Sequence, residues 1–321
     1  MKAAVYYKNG GPEVLQYEDV PDPVCPPDGV LIDIEVISVE GGDTIHRSMV
    51  PLPRVPNIVG YQAAGTVREV GANVKNRRVG QRVVAVLENG SHAEKVVARP
   101  EFTWIVPDGA DLTPLACVPV AFGTAHEALF DLGGLTKGQK VLVHAGGSGV
   151  GLAAIQLAKA VGAVVLTTAS SDDKLARLRE FGADYAINYK TTSFKDEVAK
   201  AVGTVDLVVD PIGGKTLQDS VEVLKYKGRI VNLGRAGRDS GAFDPYPLWL
   251  RNGSLHGLHL LFGSASHELA RFQGVISECI ERVARGELRV VVDRKFALAD
   301  AAQAHAHIEQ RSAFGRVVML P

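Results

Sequence analysis

The sequence predicts an α/β protein in which a doubly wound parallel-sheet domain is inserted into a mostly β domain. The first third carries short alternating or apolar runs between Gly and Pro residues, such as GVLIDIEVISV and QRVVAVL, which are typical of strands. From about Val120, apolar runs alternate with longer amphipathic segments, as in β-α-β units. The chain of 321 residues is also longer than one hydrophobic core usually supports.

The middle of the chain supplies the elements of the parallel sheet. Its strand candidates are KVLVHA, AVVLTTA, DYAINY, VDLVVD and RIVNLG. Its helix candidates, each ending near a Gly, are GLAAIQLAKAVG, DDKLARLREFGA, SFKDEVAKAVG and KTLQDSVEVLKYKG. A further strand HGLHLL, a long helix over about 267–285, a short helix and a last strand GRVVMLP follow. We therefore expect one domain over 121–255 and another formed by 1–120 together with 256–321.

The composition excludes several classes of protein. The hydrophobic fraction is 46%, the charged fraction is 22%, and no apolar run approaches the roughly 18 residues of a membrane helix. A net charge of -1, without a basic cluster interleaved with aromatics, argues against nucleic-acid binding. The N-terminus has no secretory pattern, and Cys25, Cys117 and Cys279 are too scattered for a disulfide framework. We expect a cytoplasmic protein without membrane or nucleic-acid partners.

A glycine-rich turn joins the strand KVLVHA to the following helix. Its small residues would let the backbone approach a pyrophosphate at the helix N-terminus, although a plain tight turn is the alternative. The pattern departs from GxGxxG because Ser148 replaces the middle Gly. The predicted cofactor-binding residues here are Gly146, Gly147, Ser148, Gly149, Val150 and Gly151.

The end of the next strand indicates which dinucleotide is bound. Ala169 stands where an acid would bind the adenosine ribose 2'-hydroxyl. Ser170, Ser171 and Lys174 could instead bind a 2'-phosphate, since Ser supplies hydrogen bonds and Lys supplies charge. Asp172 and its neighbour are better interpreted as helix-start residues. The sequence therefore favours NADP(H) over NAD(H).

The order of these features resembles the medium-chain dehydrogenase/reductase superfamily, in its zinc-free quinone oxidoreductase, or zeta-crystallin-like, branch. The resemblance covers nearly the whole chain, and it implies a Rossmann-type domain inserted into a GroES-like substrate domain. The segments that carry it include MKAAVYYKNGGPEVL, NIVGYQAAGTVREVG, VGQRVVAV, AFGTAHEAL, KVLVHAGGSGVGLAAIQLAKAVGA, KLARLREFGADYAINY, VDLVVDPIGG and GRVVML.

The chain departs from the zinc-dependent members at the metal positions. Glu40 stands at the position of the catalytic Cys, and Tyr61 stands where a His would be. No Cys cluster follows Ala98, although a structural zinc site needs about four ligands. We therefore expect no metal.

The resemblance also implies roles for residues outside these motifs. Thr124 should lie beside the cofactor, Tyr189 and Arg311 should join the 2'-phosphate site, and Asn232 and Gly234 should flank the nicotinamide. The segment from Trp249 to Phe262 should border the substrate, and the resemblance implies a homodimer whose edge strand is HGLHLL. The predicted substrate-pocket residues are Ile45, His259 and Leu260.

Without a Lewis acid, the easiest reaction is hydride transfer from NADPH to a hydrophobic acceptor that stabilises negative charge itself, a quinone or an α,β-unsaturated carbonyl. Tyr61 is the proton-donor or oxyanion-donor candidate, with core packing as the alternative. Glu40 is the second catalytic candidate; it could orient substrate, act as an acid in a dry cleft, or form a salt bridge. A polyketide-type enoyl-thioester reductase and a non-catalytic NADPH-binding protein remain as alternative functions.

Overall fold

The computed structural model describes residues 1–239, 241–261 and 263–321, which form two compact units. One unit contains 1–120 and 269–321, and the other contains 121–268. The sheet topology confirms the predicted fold class, a parallel-sheet domain inserted into a mostly β domain. The second predicted boundary at residue 255 is wrong, because the chain there enters a strand of the parallel sheet and leaves that unit only after Glu268.

The first unit contains two sheets. A three-stranded sheet has the order β2-β1-β4, and a larger one has the order β15-β16-β3-β5-β6-β8, with β7 also paired to β3. The strands are β1 (Lys2–Tyr6), β2 (Gln16–Asp19), β3 (Val30–Val39), β4 (Asn57–Ile58), β5 (Gln62–Val70), β6 (Arg82–Val86), β7 (Lys95–Ala98), β8 (Thr103–Ile105), β15 (Val292–Ala297) and β16 (Arg316–Leu320).

The core of this unit follows from the alternating pattern of its strands. β3 is the centre of the larger sheet, since β5, β7 and β16 all pair with it antiparallel. Ile32, Ile37, Val67 and Met319 are buried in one cluster on these strands. Burial of each such side chain contributes on the order of 1.5–3 kcal/mol.

Helices of the first unit flank the strands. The helix over 41–49 follows β3 directly, so its N-terminus is fixed by the end of the central strand. The helices are α1 (Gly41–Met49), α2 (Leu112–Leu115), α10 (Leu269–Ala284) and α11 (Ala301–Glu309). A further helix, α3 (Val118–His126), carries the chain into the second unit and continues as a π-helical turn over Glu127–Asp131.

The second unit is a six-stranded parallel sheet with the order β11-β10-β9-β12-β13-β14. This doubly wound order places the crossover between β9 and β12, where such sheets bind ligands. The strands are β9 (Lys140–Val143), β10 (Val164–Ala169), β11 (Tyr185–Asn188), β12 (Val205–Asp210), β13 (Leu224–Asn232) and β14 (Ser254–Gly257). The helices are α4 (Gly149–Ala160), α5 (Asp172–Glu180), α6 (Phe194–Val202), α7 (Gly214–Glu222), α8 (Tyr246–Leu250) and α9 (Ser264–His267).

Two predicted elements differ from the structure in their bounds. The helix KTLQDSVEVLKYKG ends at Glu222, because Leu224 already pairs with Val205 in the sheet. The strand expected over HGLHLL begins earlier and ends at Gly257, where its pairing with β13 stops. Both errors arise where an amphipathic or apolar run fits either element equally well.

Two global features also bear on the sequence interpretation. Among the described residues, no helix combines the length and the apolar character that crossing a membrane requires. All three cysteines are free, and Cys117 and Cys279 are buried. Burial raises the pKa of both thiols, to about 12 for Cys279, so neither forms a reactive thiolate near neutral pH.

Candidate functional site

The glycine-rich turn after β9 packs closely against β10 and the start of α4. Ser148 caps α4 by accepting a hydrogen bond from the Gly151 amide at 3.0 Å. A Cβ atom on Gly146 would lie 2.1 Å from the Thr167 hydroxyl, and one on Gly151 would lie 2.4 Å from the Ala145 carbonyl. Side chains at these positions would clash with β10 and with the turn itself, so the glycines allow the turn to pack closely between β10 and the start of α4.

The end of β10 carries the residues predicted to bind the 2'-phosphate. Ser171 caps α5, accepting from the Lys174 amide at 3.4 Å, and Ser170 and Lys174 are half-buried. Asp172 is the first residue of α5 and accepts a hydrogen bond from Asn188 at 2.9 Å. This placement agrees with the interpretation of Asp172 as a helix-start residue.

Other predicted cofactor residues of this unit lie on neighbouring elements. Tyr189 follows β11, is 48% exposed, and donates its amide to the Ala169 carbonyl at 3.2 Å. Asn232 ends β13 and donates to the Gly234 carbonyl at 3.0 Å. Because β9, β10, β11 and β13 are parallel, these residues lie along the carboxyl edge of one sheet. Thr124 is buried on α3.

Arg311 belongs to the first unit and not to this sheet. It follows α11, is exposed, and has a left-handed backbone with φ of 56°. Its predicted part in the 2'-phosphate site stays a prediction.

Glu40 lies at the centre of a buried polar cluster in the first unit. Its side chain is paired with Arg316 and accepts hydrogen bonds from Ser38 and Gln62, both at 3.1 Å. Its backbone amide donates to Asp43 at 2.8 Å, which completes a capping box at the start of α1. Of the three roles open to Glu40, the salt bridge is the one that the structure contains.

Tyr61 lies beside this cluster, immediately before β5. Burial raises the pKa of its phenol well above the ordinary value, the carboxyl groups of Glu40 and Asp43 raise it further, and nearby Arg316 acts in the opposite direction. A Cβ atom on Gly42 would lie 2.3 Å from the Tyr61 hydroxyl. Tyr61 therefore stays protonated at neutral pH and fits against α1 only because residue 42 lacks a side chain.

Asp43 is a second unusual group of this cluster. Its Oδ2 atom accepts from the Glu40 amide, whereas its buried Oδ1 atom has no partner among the described residues. Burial raises the pKa of this carboxyl well above its usual range, and nearby Glu40 adds to the effect. Burial therefore favours the neutral form of Asp43 more than it would for an exposed aspartate.

The predicted substrate-pocket residues are divided between the units. Ile45 is half-buried on α1, while His259 is exposed and Leu260 is buried after β14. Phe262, the last residue of the segment expected to border the substrate, lies outside the described residues. The His46 and Tyr61 rings lie 6.1 Å apart, which adds an aromatic neighbour to the phenol.

Sequence reasoning missed the partners of Glu40. Arg316 is 7% exposed although it opens the apolar strand GRVVML, and Gln62 uses its carbonyl to accept the Val120 amide at 2.6 Å. A cation at the start of a buried strand was the available signal, because such a charge requires a partner. Nothing local in the sequence identified that partner as Glu40, more than 270 residues away.

The donor set does not fit a zinc ion. Within 1–239, 241–261 and 263–321, no group of three or more His, Cys, Asp or Glu side chains is placed to hold a metal. Glu40 is committed to Arg316, and a tyrosine occupies the second family position. No chemical step is therefore assigned to zinc.

The fold and the site define a class of enzyme, a two-domain oxidoreductase with a Rossmann-type and a GroES-like domain. Residues 26–108 match the alcohol dehydrogenase GroES-like domain, and residues 149–278 match the family described as zinc-binding dehydrogenase. The chain belongs to the medium-chain dehydrogenase/reductase superfamily, in its quinone oxidoreductase branch, as the sequence predicted.

Individual relatives support this assignment over the full length. A quinone oxidoreductase of Pseudomonas aeruginosa is 32% identical, with 97% of each chain covered. A 2-haloacrylate reductase of Burkholderia is also 32% identical, with 99% of this chain and 98% of the relative covered. The structure of an Escherichia coli quinone oxidoreductase complexed with NADPH superimposes with a TM-score of 0.95 at 26% identity, covering both chains completely.

Proposed function

We propose that the protein is a zinc-independent, NADPH-dependent reductase that transfers hydride to a quinone or an α,β-unsaturated carbonyl compound. The observation that carries the proposal is the pair of neighbouring strand ends in the parallel sheet. β9 leads into a glycine-rich turn, and β10 ends in Ala169-Ser170-Ser171, without an acid.

The residues at these strand ends fit NADPH. The turn over 146–151 would hold the pyrophosphate at the N-terminus of α4, where backbone amides and the helix dipole favour negative charge. Ser170, Ser171 and Lys174 would hold the 2'-phosphate, since no carboxylate at Ala169 repels it. The NADPH bound to the Escherichia coli relative is consistent with this choice.

The acceptor class is supported by the relatives and by the donor set. Quinones and 2-haloacrylates both contain a carbon–carbon double bond conjugated to a carbonyl or carboxylate group, and relatives with these names match the chain over its full length. Such acceptors delocalise the negative charge that hydride addition creates, so they need no Lewis acid. A conjugated acceptor therefore agrees with a site whose described residues lack a zinc donor set.

Bound NADPH supplies the hydride, and the protein supplies the proton. Tyr61 is the proposed donor because its raised phenol pKa keeps the proton in place until an enolate forms. Glu40 is assigned to positioning, since its carboxylate is occupied by Arg316, Ser38 and Gln62.

A second copy of the chain is the proposed partner. β14 forms one edge of the six-stranded sheet, and an uncovered edge strand is open to pairing with another strand. Exposed apolar side chains lie close by in the sequence, with Trp249 69% and Leu250 61% exposed. We propose a homodimer that joins the two sheets through β14. The three free cysteines are consistent with a cytoplasmic location.

The test is NADPH oxidation by metal-stripped protein against quinones, 2-alkenals, enones, 2-haloacrylates and enoyl thioesters, with NADH in parallel. We expect turnover of at least one conjugated acceptor, with NADPH preferred, and no gain on adding Zn²⁺. Activity restricted to enoyl thioesters would favour the polyketide-type alternative. Tight NADPH binding without turnover of any acceptor would contradict the reductase proposal.

A further inference from the structure

A chain of buried hydrogen bonds connects the glycine turn to α7 in the second unit. The Ala145 amide donates to the Thr168 hydroxyl at 3.3 Å, and the same hydroxyl lies 3.1 Å from Nδ1 of His144. The Nε2 atom of His144 lies 2.9 Å from the Ser220 hydroxyl, which donates to the Thr216 carbonyl at 2.7 Å. His144, Thr168 and Ser220 are each at most 2% exposed.

The partners determine the direction of every bond in this chain. Ser220 uses its only proton on the Thr216 carbonyl, so it must accept from Nε2–H of His144. The Nδ1 atom is then unprotonated and accepts the Thr168 hydroxyl proton. This leaves a lone pair of the Thr168 oxygen for the Ala145 amide. Burial lowers the pKa of His144 to about 4, with Asp210 acting in the opposite direction, so the ring is neutral at pH 7.

This series of hydrogen bonds ends at Ala145, a turn residue with an unfavourable backbone conformation. Ala145 has a left-handed backbone with φ of 53°, a conformation that costs a non-glycine residue on the order of 1 kcal/mol. The following amide, that of Gly146, donates to the Thr168 carbonyl at 3.0 Å. Thr168 therefore holds two consecutive amides of the turn, one through its side chain and one through its backbone.

We propose that His144 is a positioning residue for the cofactor turn. It acts by fixing the side-chain rotamer in which the Thr168 hydroxyl accepts a hydrogen bond from the Ala145 amide. This inference rests on the proposed binding of NADPH at the turn. It predicts that the Nδ1 side of His144 governs nucleotide affinity, whereas the Nε2 side contributes to stability alone. The mechanism uses the turn that NADPH and NADH share, and not the 2'-phosphate site.

Two substitutions separate the two sides of the ring. In His144→Asn, the amide oxygen reaches as far as Nδ1 and still accepts from Thr168, while the bond to Ser220 is lost. In His144→Gln, the longer amide reaches Ser220, while Thr168 loses its acceptor. Each variant removes one hydrogen bond, so the two serve as matched controls for stability. Thr168→Val removes the hydroxyl, and Thr168→Ser retains it.

The measurement is the dissociation constant of NADPH and of NADH for each purified variant, together with its melting temperature. We expect His144→Gln and Thr168→Val to weaken both nucleotides by about tenfold, as one lost hydrogen bond predicts. We expect His144→Asn and Thr168→Ser to stay within about threefold of the wild type. The two His144 variants should melt at similar temperatures.

Equal weakening by His144→Asn and His144→Gln would overturn the inference and leave the proposed function intact. So would wild-type affinity in a folded Thr168→Val variant. If the wild-type protein binds neither nucleotide, the proposed function itself fails, and this inference fails with it. A Thr168→Val protein that does not fold leaves the comparison of the two His144 variants decisive.

Discussion

At the residue scale, Tyr61 and Gly42 depend on each other. The phenol oxygen occupies the space that a side chain at position 42 would fill, since a Cβ there would lie 2.3 Å from that oxygen and 3.0 Å from the carbon that bears it. The missing side chain of Gly42 thus provides the room that the hydroxyl of the proposed proton donor occupies.

A double-mutant cycle tests this dependence. Tyr61→Phe should lower turnover of an enone by roughly 10²-fold, the effect of losing a general acid or oxyanion donor. Gly42→Ala should lower it by at least about tenfold in the wild type, because the new methyl group displaces the hydroxyl. In the Tyr61→Phe background the same change should cost little, since no hydroxyl remains to displace. Steady-state kinetics of the four proteins gives the coupling.

The cycle has two informative failures. An unchanged rate in Tyr61→Phe would reduce Tyr61 to a packing residue. If the rate of the double variant equals the product of the two separate rate reductions, Gly42 acts independently of the phenol. Nucleotide dissociation constants of the four proteins show whether the substitutions act on cofactor binding or on the chemical step.

A second residue-scale prediction concerns the choice between NADPH and NADH. Lys174→Ala should weaken NADPH binding by about tenfold or more, equivalent to about 1.4 kcal/mol, and change NADH binding little. The reason is that only NADPH carries the 2'-phosphate that Lys174 is proposed to pair with. Binding constants of both nucleotides are the measurement, with Lys200→Ala on α6 as a surface control. Equal losses for both nucleotides would contradict the 2'-phosphate assignment.

At the scale of elements, one ion pair joins the last strand to the first long helix of the same unit. Arg316 opens β16, and Glu40 caps α1. Removing one partner of a buried pair leaves an uncompensated charge, which costs about 3–5 kcal/mol. Removing both charges avoids that penalty. The ion pair therefore fixes the position of β16 relative to α1 but contributes little net stability.

We expect Arg316→Met to lower the free energy of unfolding of this unit by about 3–5 kcal/mol. The double variant Arg316→Met/Glu40→Gln should recover most of that loss, because the glutamine is neutral and still accepts from Ser38. Thermal and urea unfolding of the wild type and both variants measures this. A double variant as unstable as Arg316→Met would mean that the loss came from packing and not from the unpaired Glu40 charge.

The same scale shows what the sequence could predict. The sequence could predict the doubly wound parallel sheet because its strands and helices have a clear local periodicity. It could predict the glycine turn because the turn carries a short motif. The sequence could not predict the end of α7 or the bounds of β14. Pairing with β12 ends α7, and pairing with β13 sets β14, and neither follows from an apolar run that fits a helix and a strand equally well. The partner of Glu40 was also out of reach, since it depends on a contact between distant parts of the chain.

At the scale of the whole molecule, each unit contains buried neutral histidines. In the first unit, His305 accepts a hydrogen bond from Arg47 at Nδ1, 2.9 Å away, and its Nε2 lies 2.9 Å from Nε2 of His92. Arg47 also pairs with Glu309, and His92 lies 3.4 Å from the Ser91 hydroxyl. Neither ring faces a carboxylate directly in these contacts. A proton added to His92 or His305 would therefore face the Arg47 guanidinium or the other imidazole ring, and no carboxylate in these contacts would balance its charge.

Burial lowers the pKa of His92 to about 3 and that of His144 to about 4, and it lowers the pKa of His305 well below the usual 6.5. The stability that these groups contribute is fully present above pH 6.5. It is lost as the pH falls towards the folded-state pKa values, because the unfolded chain then binds protons that the folded chain does not. Each histidine contributes a slope of about 1.4 kcal/mol per pH unit in that range.

We therefore expect the melting temperature to fall steeply between about pH 6.5 and about pH 4.5, a range that begins well above the ordinary pKa values of carboxylates. His144→Asn should melt lower than the wild type at neutral pH but lose less on acidification, because one proton-binding site disappears from the unfolded chain. The exposed His267→Gln change should leave both values as in the wild type. Calorimetry of the three proteins at about pH 7.5 and about pH 5 makes the comparison. If His144→Asn and the wild type lose stability equally on acidification, His144 is not held neutral in the fold, and the direction assigned to its hydrogen bonds is wrong as well.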